Sequence, residues 1–170
     1  MFDAQSYGSA VNAFENELLA KNGYDCTDVD IALDDIKPED YDMAVIFAPS
    51  VDFSEDIIKK LSDFLYNGGN YEKDMIYIPS LDALNLPNIS EFLADWKIQI
   101  GTDVILDDDM TQVRISALGS VDYAPMLSVS DTEAVGTLPN DTLPIVAPGT
   151  RVINVVSKNN ESVINEVIKS

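Results

Sequence analysis

Histidine is missing from this chain of 170 residues. With it go the Ser-His-Asp and Cys-His arrangements of nucleophilic catalysis, and the commonest zinc ligand. Cysteine occurs once, at Cys26, so no internal disulfide can form and cysteine usage leaves the redox compartment open. Set in a segment that reads as a strand, Cys26 is expected to be a small buried apolar residue rather than a nucleophile. Basic residues are scarce, 10 against 30 acidic ones, for a net charge of −20. Such a field repels nucleic acid and anionic lipid headgroups, which need clustered Lys and Arg. A solvated acidic surface is the simplest reading of the imbalance, and cationic partners are the other. Neither GxGxxG nor a GxxxxGK phosphate loop occurs, and Gly68-Gly69 lies after a helix rather than before one. Dinucleotide or nucleotide binding by those devices is therefore not expected. No apolar run reaches the roughly 18 to 20 residues that span a bilayer. Met1-Phe2-Asp3-Ala4 has neither the basic start nor the apolar core of a signal peptide. This abrupt start, just ahead of a helix, reads as that of a soluble piece cut from a longer chain rather than a natural beginning.

What is present is a globular composition, 46% hydrophobic, in a chain long enough to bury one core. Residues 1–170 read as a single α/β domain. The most informative stretch is 41–69. Residues 43–48 form a short apolar run, the pattern of a strand buried on both faces of a parallel sheet. A Pro-Ser-Val-Asp loop follows, and then an amphipathic helix with Ile57, Ile58, Leu61, Phe64 and Leu65 at helical spacing. Gly68 and Gly69 are expected to stop it, because glycine takes the left-handed conformation of a helix terminus.

Upstream, residues 9–22 predict a helix with Ala10, Val11, Phe14, Leu18 and Leu19 on one side, ended by Asn22-Gly23. Residues 24–31 predict a strand near a sheet edge, and 34–40 a loop. Downstream, 74–78 predict an apolar strand ended by Pro79-Ser80. Asn88 with Glu91 three positions on reads as a capping-box variant opening a helix. Ile89, Phe92, Leu93 and Trp96 form its inward stripe. Residues 98–106 predict a strand, 107–109 a turn, and 112–117 a half-exposed strand. Loops and short strands are expected over 128–148, and a strand over 151–156. Val163, Ile164, Val167 and Ile168 leave two readings open, a short terminal helix over 161–169 or a β-ribbon over 163–168. The order α-β-β-α-β-α-β, with right-handed crossovers, points to an open, mostly parallel three-layer α/β sheet of Rossmann-like layout with an irregular β-rich C-terminal third.

Candidate chemistry is thin. Class I glutamine-amidotransferase-like enzymes share such a layout and place a Cys at a sharp strand-to-helix turn. The corresponding turn here, near Pro79-Ser80-Leu81, has neither Cys nor His. Ligands in open α/β sheets sit at strand carboxyl ends, so the loop from Ala48 through Asp52 can line a crevice. Capping of the next helix by Ser54, or by Asp52 with Glu55, is the simpler account of its polar residues. Asp28 with Asp30, and the triplet Asp107-Asp108-Asp109, supply hard oxygen ligands for calcium or magnesium, but neither has the EF-hand glycine and terminal Glu. A charged turn explains the triplet. Sequons at Asn88, Asn140 and Asn160 fit chance and helix capping. No catalytic, cofactor-binding or metal-ligating residue is assigned; the candidate partner or ligand loop is Pro49, Ser50, Val51, Asp52 and Phe53.

Residues 42–69 resemble the auxiliary, gliding-motility-associated component family of uncharacterised ABC transport systems. The features are Ala48-Pro49 ending a strand, Asp52-Phe53-Ser54-Glu55 opening a helix, and Gly68-Gly69 closing it. Asn22-Gly23-Tyr24 leading into Val29-Asp30-Ile31 is similar to the family's upstream helix, turn and strand. Pro87-Asn88 through Trp96, and the following run from Ile98 to Asp107, are similar to its later helix and strand. The likeness spans about residues 9–109. Lys97 stands where the family has a glycine after the aromatic residue, and the family's opening strand with its Gly-His-x-Glu-like motif would precede residue 1. The resemblance implies a non-enzymatic soluble domain, tethered by transmembrane helices outside the cytoplasm and without a cofactor. Its expected partners are the permease and ATPase subunits or an exported substrate, with no nucleic acid. It specifies neither the transported substrate nor an oligomeric state. Two rival readings are a small-molecule or sugar-binding module at the sheet's carboxyl-end crevice, and a metal-dependent hydrolase using Asp28, Asp30 or the 107–109 triplet.

Overall fold

The computed structural model describes residues 4–83, 85–105, 114–115, 121–122, 126–129, 145–146, 150–156 and 164–169. The chain divides into two units, Met1–Phe47 with Ser54–Ile78, and Ala48–Phe53 with Pro79–Ser170. Among the described residues the architecture is mixed α/β, with a small parallel sheet and separate antiparallel ladders.

In the first unit, helix α1 (Ala4–Ala13) runs on through a π-helical segment, Phe14–Leu19, and a 3-10 turn, Ala20–Asn22. Gly23 ends it with φ 88, as the Asn-Gly pair predicts. Leu19 is buried, and the Phe14 ring meets Phe47 edge-on with centroids 6.1 Å apart. Ala10 and Leu18, expected on the inward side, are exposed. Leu18 lies in the π segment, whose wider i→i+5 turns change which positions share a face, whereas Ala10 lies in the regular helix before it.

Residues 24–30 are irregular and 31–33 turn, where a strand is predicted. The cause is local. The Asp30 carboxylate accepts the amide of Ala32 at 3.1 Å, and the Asp30 carbonyl accepts those of Leu33 and Asp34 at 2.9 and 2.7 Å. These bonds offer the backbone an alternative to a sheet ladder. Cys26 is accordingly exposed, not a buried core residue. Lys60 fixes the end of this segment, donating to the carbonyls of Ile31 at 3.0 Å and Asp34 at 2.7 Å and pairing with Asp35 at 3.3 Å.

Strand β1 (Met43–Phe47) and strand β2 (Asp74–Ile78) pair in parallel, in register from Met43 with Asp74 to Phe47 with Ile78. They are joined through helix α2 (Glu55–Tyr66). β1 is only half-buried and Val45 is exposed, which corrects the expectation of a strand covered on both faces. Among the described residues β1 pairs with β2 alone, and a ladder of two lacks the neighbours that complete burial in a wide parallel sheet. α2 buries Leu61, Phe64 and Leu65, with Ile57 and Ile58 half-buried at the margin. The residue that stops it is Asn67, left-handed at φ 46 and ψ 47, and Gly68 and Gly69 then extend the left-handed turn.

In the second unit, helix α3 (Pro87–Asp95) buries Ile89, Phe92 and Leu93. Asn88 is not its N-cap. Leu86 holds that position without a side-chain bond, Pro87 is the first helical residue, and Asn88 lies inside the first turn. Trp96, the fourth member of the predicted stripe, is 43% exposed. It stands at the C-cap with φ −86 and ψ 12, where helical periodicity no longer sets its direction. Lys97 follows at φ 67 and turns the chain into strand β3 (Ile98–Val104), on which α3 packs.

Strands β4 (Arg114–Ile115) and β5 (Val121–Asp122) pair antiparallel. Strand β6 (Met126–Val129) lies between β7 (Ile145–Val146) and β9 (Ile168–Lys169). Strand β8 (Arg151–Val155) pairs antiparallel with β3, matching Ile98 to Val155 and Ile100 to Ile153. A Cβ on Gly101 would stand 3.2 Å from that of Val152, so glycine suits this close approach. Residues 164–167 are not helical and Ile168 joins a strand, which overturns the terminal-helix reading and favours the β alternative at that residue. The expectations for Leu106, for 107–109, for most of 128–148 and for the sequons at Asn140 and Asn160 lie outside the described residues.

Candidate functional site

The candidate loop starts at Ala48, whose φ of 45 turns the chain directly after β1. Left-handed backbone at a residue with a Cβ is uncommon and is held only where the surroundings fix it. Pro49 is half-buried, Ser50 exposed and Val51 74% exposed, so the tip presents an apolar side chain to solvent. Asp52 and Phe53 are half-buried.

What holds the base of the loop is a two-way exchange with α3. The first amides of a helix have no partner within it. The Asp52 carboxylate supplies one, accepting the amide of Asn88 at 2.9 Å on Oδ2 and that of Ile89 at 3.3 Å on Oδ1. Its negative charge there also suits the positive end of the helix dipole. In return the Asn88 side-chain amide donates to the Phe53 carbonyl at 2.6 Å. The helix that follows the loop is capped by Ser54, whose Oγ accepts the Ile57 amide at 3.4 Å. Of the two predicted caps for α2, Ser54 is thus the one used, and Asp52 caps a different helix. Both Asp52 oxygens are engaged by backbone amides, and the loop offers an anchored base, the Ser50 hydroxyl and the Val51 isopropyl group.

Arg151 was not visible as a key residue in sequence. It is only 7% exposed, and its Nε donates to the Gly101 carbonyl at 2.7 Å while Nη1 donates to the Ser80 carbonyl at 2.9 Å. The Ser80 hydroxyl accepts the amides of Asp82 and Ala83, each at 3.3 Å. Ser80 is buried, and its hydroxyl is committed to its own turn. The one sequence signal for Arg151 is a basic residue heading a strand in a chain with few of them.

Asp28 and Asp30 are exposed, and Asp30 is engaged in its turn. Among the described residues no three His, Cys, Asp or Glu side chains gather to hold a metal ion, and the 107–109 triplet lies outside them. Among the same residues no helix is long and apolar enough to cross a membrane. No protein-family model, curated protein or solved structure matches the chain.

Proposed function

We propose that this chain is a non-catalytic contact domain of an ABC-transporter auxiliary component, placed on the extracytoplasmic face of a bacterial membrane. Its contact surface is the loop Pro49, Ser50, Val51, Asp52 and Phe53, and its partners are the permease and ATPase subunits or the exported substrate. The observation that carries this reading is the exchange between Asp52 and Asn88. It fixes the loop base while Val51 stands outward, and a preorganised apolar tip loses little freedom on binding. Two further points support it. Lys97 occupies a position where the resembled family has glycine, and its φ of 67 is a conformation glycine takes freely. The unit in which β1 and β2 pair in parallel through α2 is also what a three-layer, Rossmann-like sheet repeats, and that layout belongs to the same proposal.

Co-purification with the cognate permease and ATPase tests the reading. The wild-type chain is expected to be recovered with them, and Val51→Asp to weaken recovery roughly tenfold, as loss of an interface anchor does. Circular dichroism of the variant controls for folding. If the wild-type chain stays free where the two transporter subunits hold each other, the proposal fails. A sugar that raises thermal stability in the absence of any complex would point instead to a binding module.

A further inference from the structure

Tyr66 closes α2, and Tyr71 follows the left-handed turn Asn67–Gly69. Their rings stand edge to face, centroids 5.3 Å apart and planes at 88°. Both remain open to solvent, at 52% and 59% exposure. One ring lends its positive edge to the face of the other and keeps its own negative π face standing at a right angle beside that ring, which makes a corner.

The corner is held in shape from below. The Tyr71 amide donates to the Tyr66 carbonyl at 3.4 Å, and that of Asn70 to Asn67 at 3.2 Å. Gly69, at φ 97, lies close to the Tyr66 ring, since a Cβ there would stand 3.5 Å from the hydroxyl. Tyr71 itself sits at φ 54, an unfavourable backbone for a bulky side chain that the turn sustains.

Close to the corner in sequence, two lysines are paired and one acid stands exposed. Lys59, near in sequence, pairs with Asp63, and Lys73 pairs with Asp42 at 3.4 Å. Glu72, beside Tyr71, is exposed and has no ion pair among the described residues. The chain as a whole carries −20. Anionic occupants are repelled, and a cationic one gains an attraction that an apolar one does not.

We propose that the Tyr66–Tyr71 corner docks a cationic side chain, arginine foremost, carried on a basic segment of a partner protein. Arginine fits because its guanidinium is planar, weakly hydrated and stacks on aromatic faces. The surface shares no residue with the 49–53 loop, so this proposal stands or falls separately from the transporter reading.

The test is titration of the full chain with a tetra-arginine peptide and with its neutral tetra-citrulline counterpart, read by NMR of ring-labelled tyrosine. The arginine peptide is expected to move the Tyr66 and Tyr71 ring resonances, and the citrulline peptide to leave them still. Tyr66→Leu and Tyr71→Leu are each expected to weaken binding roughly two- to fivefold. Tyr71→Phe, which keeps the ring, should bind as the wild type does. Three results overturn the proposal. In the first, the arginine peptide binds without moving the two rings, or fails to bind. In the second, folded leucine variants bind at full strength, which marks diffuse attraction to the acidic surface. In the third, the rings move with protein concentration alone, which makes a second copy the occupant. The wild-type ring shifts decide the matter even where a leucine variant does not fold.

Discussion

Helices α2 and α3 bury similar apolar faces, Leu61, Phe64 and Leu65 in one and Ile89, Phe92 and Leu93 in the other, but they begin by different means. α2 takes its cap from Ser54, the residue directly before it. α3 opens with Pro87 after Leu86, which has no side-chain oxygen to offer, and its first amides are satisfied by Asp52 from 36 residues earlier. A local cap concerns its helix alone. A remote cap makes the helix N-terminus a fixture for another part of the chain, here the 49–53 loop, so one carboxylate serves both helix stability and loop position.

The largest expected effects test whether the two helices are equal apart from their caps. Leu61→Ala and Ile89→Ala remove side chains that are each 1% exposed. Each is expected to cost about 2–5 kcal/mol through lost burial and the cavity left behind. Urea denaturation measures both, and a near-neutral result at one site would mean its helix is not core-bearing as described. Next in size is Arg151→Met, which leaves the Ser80 and Gly101 carbonyls without their guanidinium donor. Bonds to charged groups and orphaned buried acceptors together put the loss at about 2–3 kcal/mol. An unchanged urea midpoint would show that water replaces the guanidinium without penalty.

The capping contrast itself is sharpened by a pair of smaller changes. Asp52→Ala is expected to cost about 1–2 kcal/mol and Ser54→Ala about 0.5–1 kcal/mol, since the carboxylate accepts from two amides and the hydroxyl from one. Location separates them better than size. Amide hydrogen exchange should quicken at Asn88 and Ile89 in the first variant and at Ile57 in the second. Asp52→Asn keeps an oxygen acceptor and should retain most of the protection. If Asp52→Ala leaves Asn88 and Ile89 protected, the remote cap is not what starts α3.

The same contrast explains what the sequence made legible. β1, α2, β2 and β8 follow from signals that lie within or beside the element: an apolar run, a helical period, Ser54 before the helix, Pro79 after the strand. The misreadings sit where a distant or competing partner decides. Residues 24–31 alternate like a strand, but Asp30 bonds to its own turn and no ladder forms there. Asn88 has the spacing of a capping box, yet the cap comes from Asp52 and Asn88 reaches back to Phe53. Trp96 extends the apolar period of α3 by one residue too many, because the helix has already ended. The place of the candidate loop could be read from the strand before it and the helix after it. Its anchoring could not, because spacing within the loop carries no trace of a partner so far along the chain. Arg151 poses the same problem over 71 residues to Ser80.

The smallest expected effect concerns the other end of α3. α2 stops on Asn67, a residue that tolerates the left-handed region, and two glycines follow. α3 hands over to β3 through Lys97 at φ 67, with no such tolerant residue. Left-handed backbone costs an ordinary L-residue about 1–2 kcal/mol, and glycine's greater freedom in the unfolded chain offsets part of what removing that strain returns. Lys97→Gly is therefore expected to stabilise by about 0.5–1 kcal/mol. The carbonyl of Lys97 accepts the Val156 amide at 2.8 Å, and glycine keeps that bond because only backbone makes it. Lys97→Ala, with its Cβ intact, should show none of the gain. A rise in the urea midpoint for glycine but not alanine assigns the strain to φ at this position. Equal midpoints would mean that the turn into β3 holds Lys97 left-handed at no measurable cost.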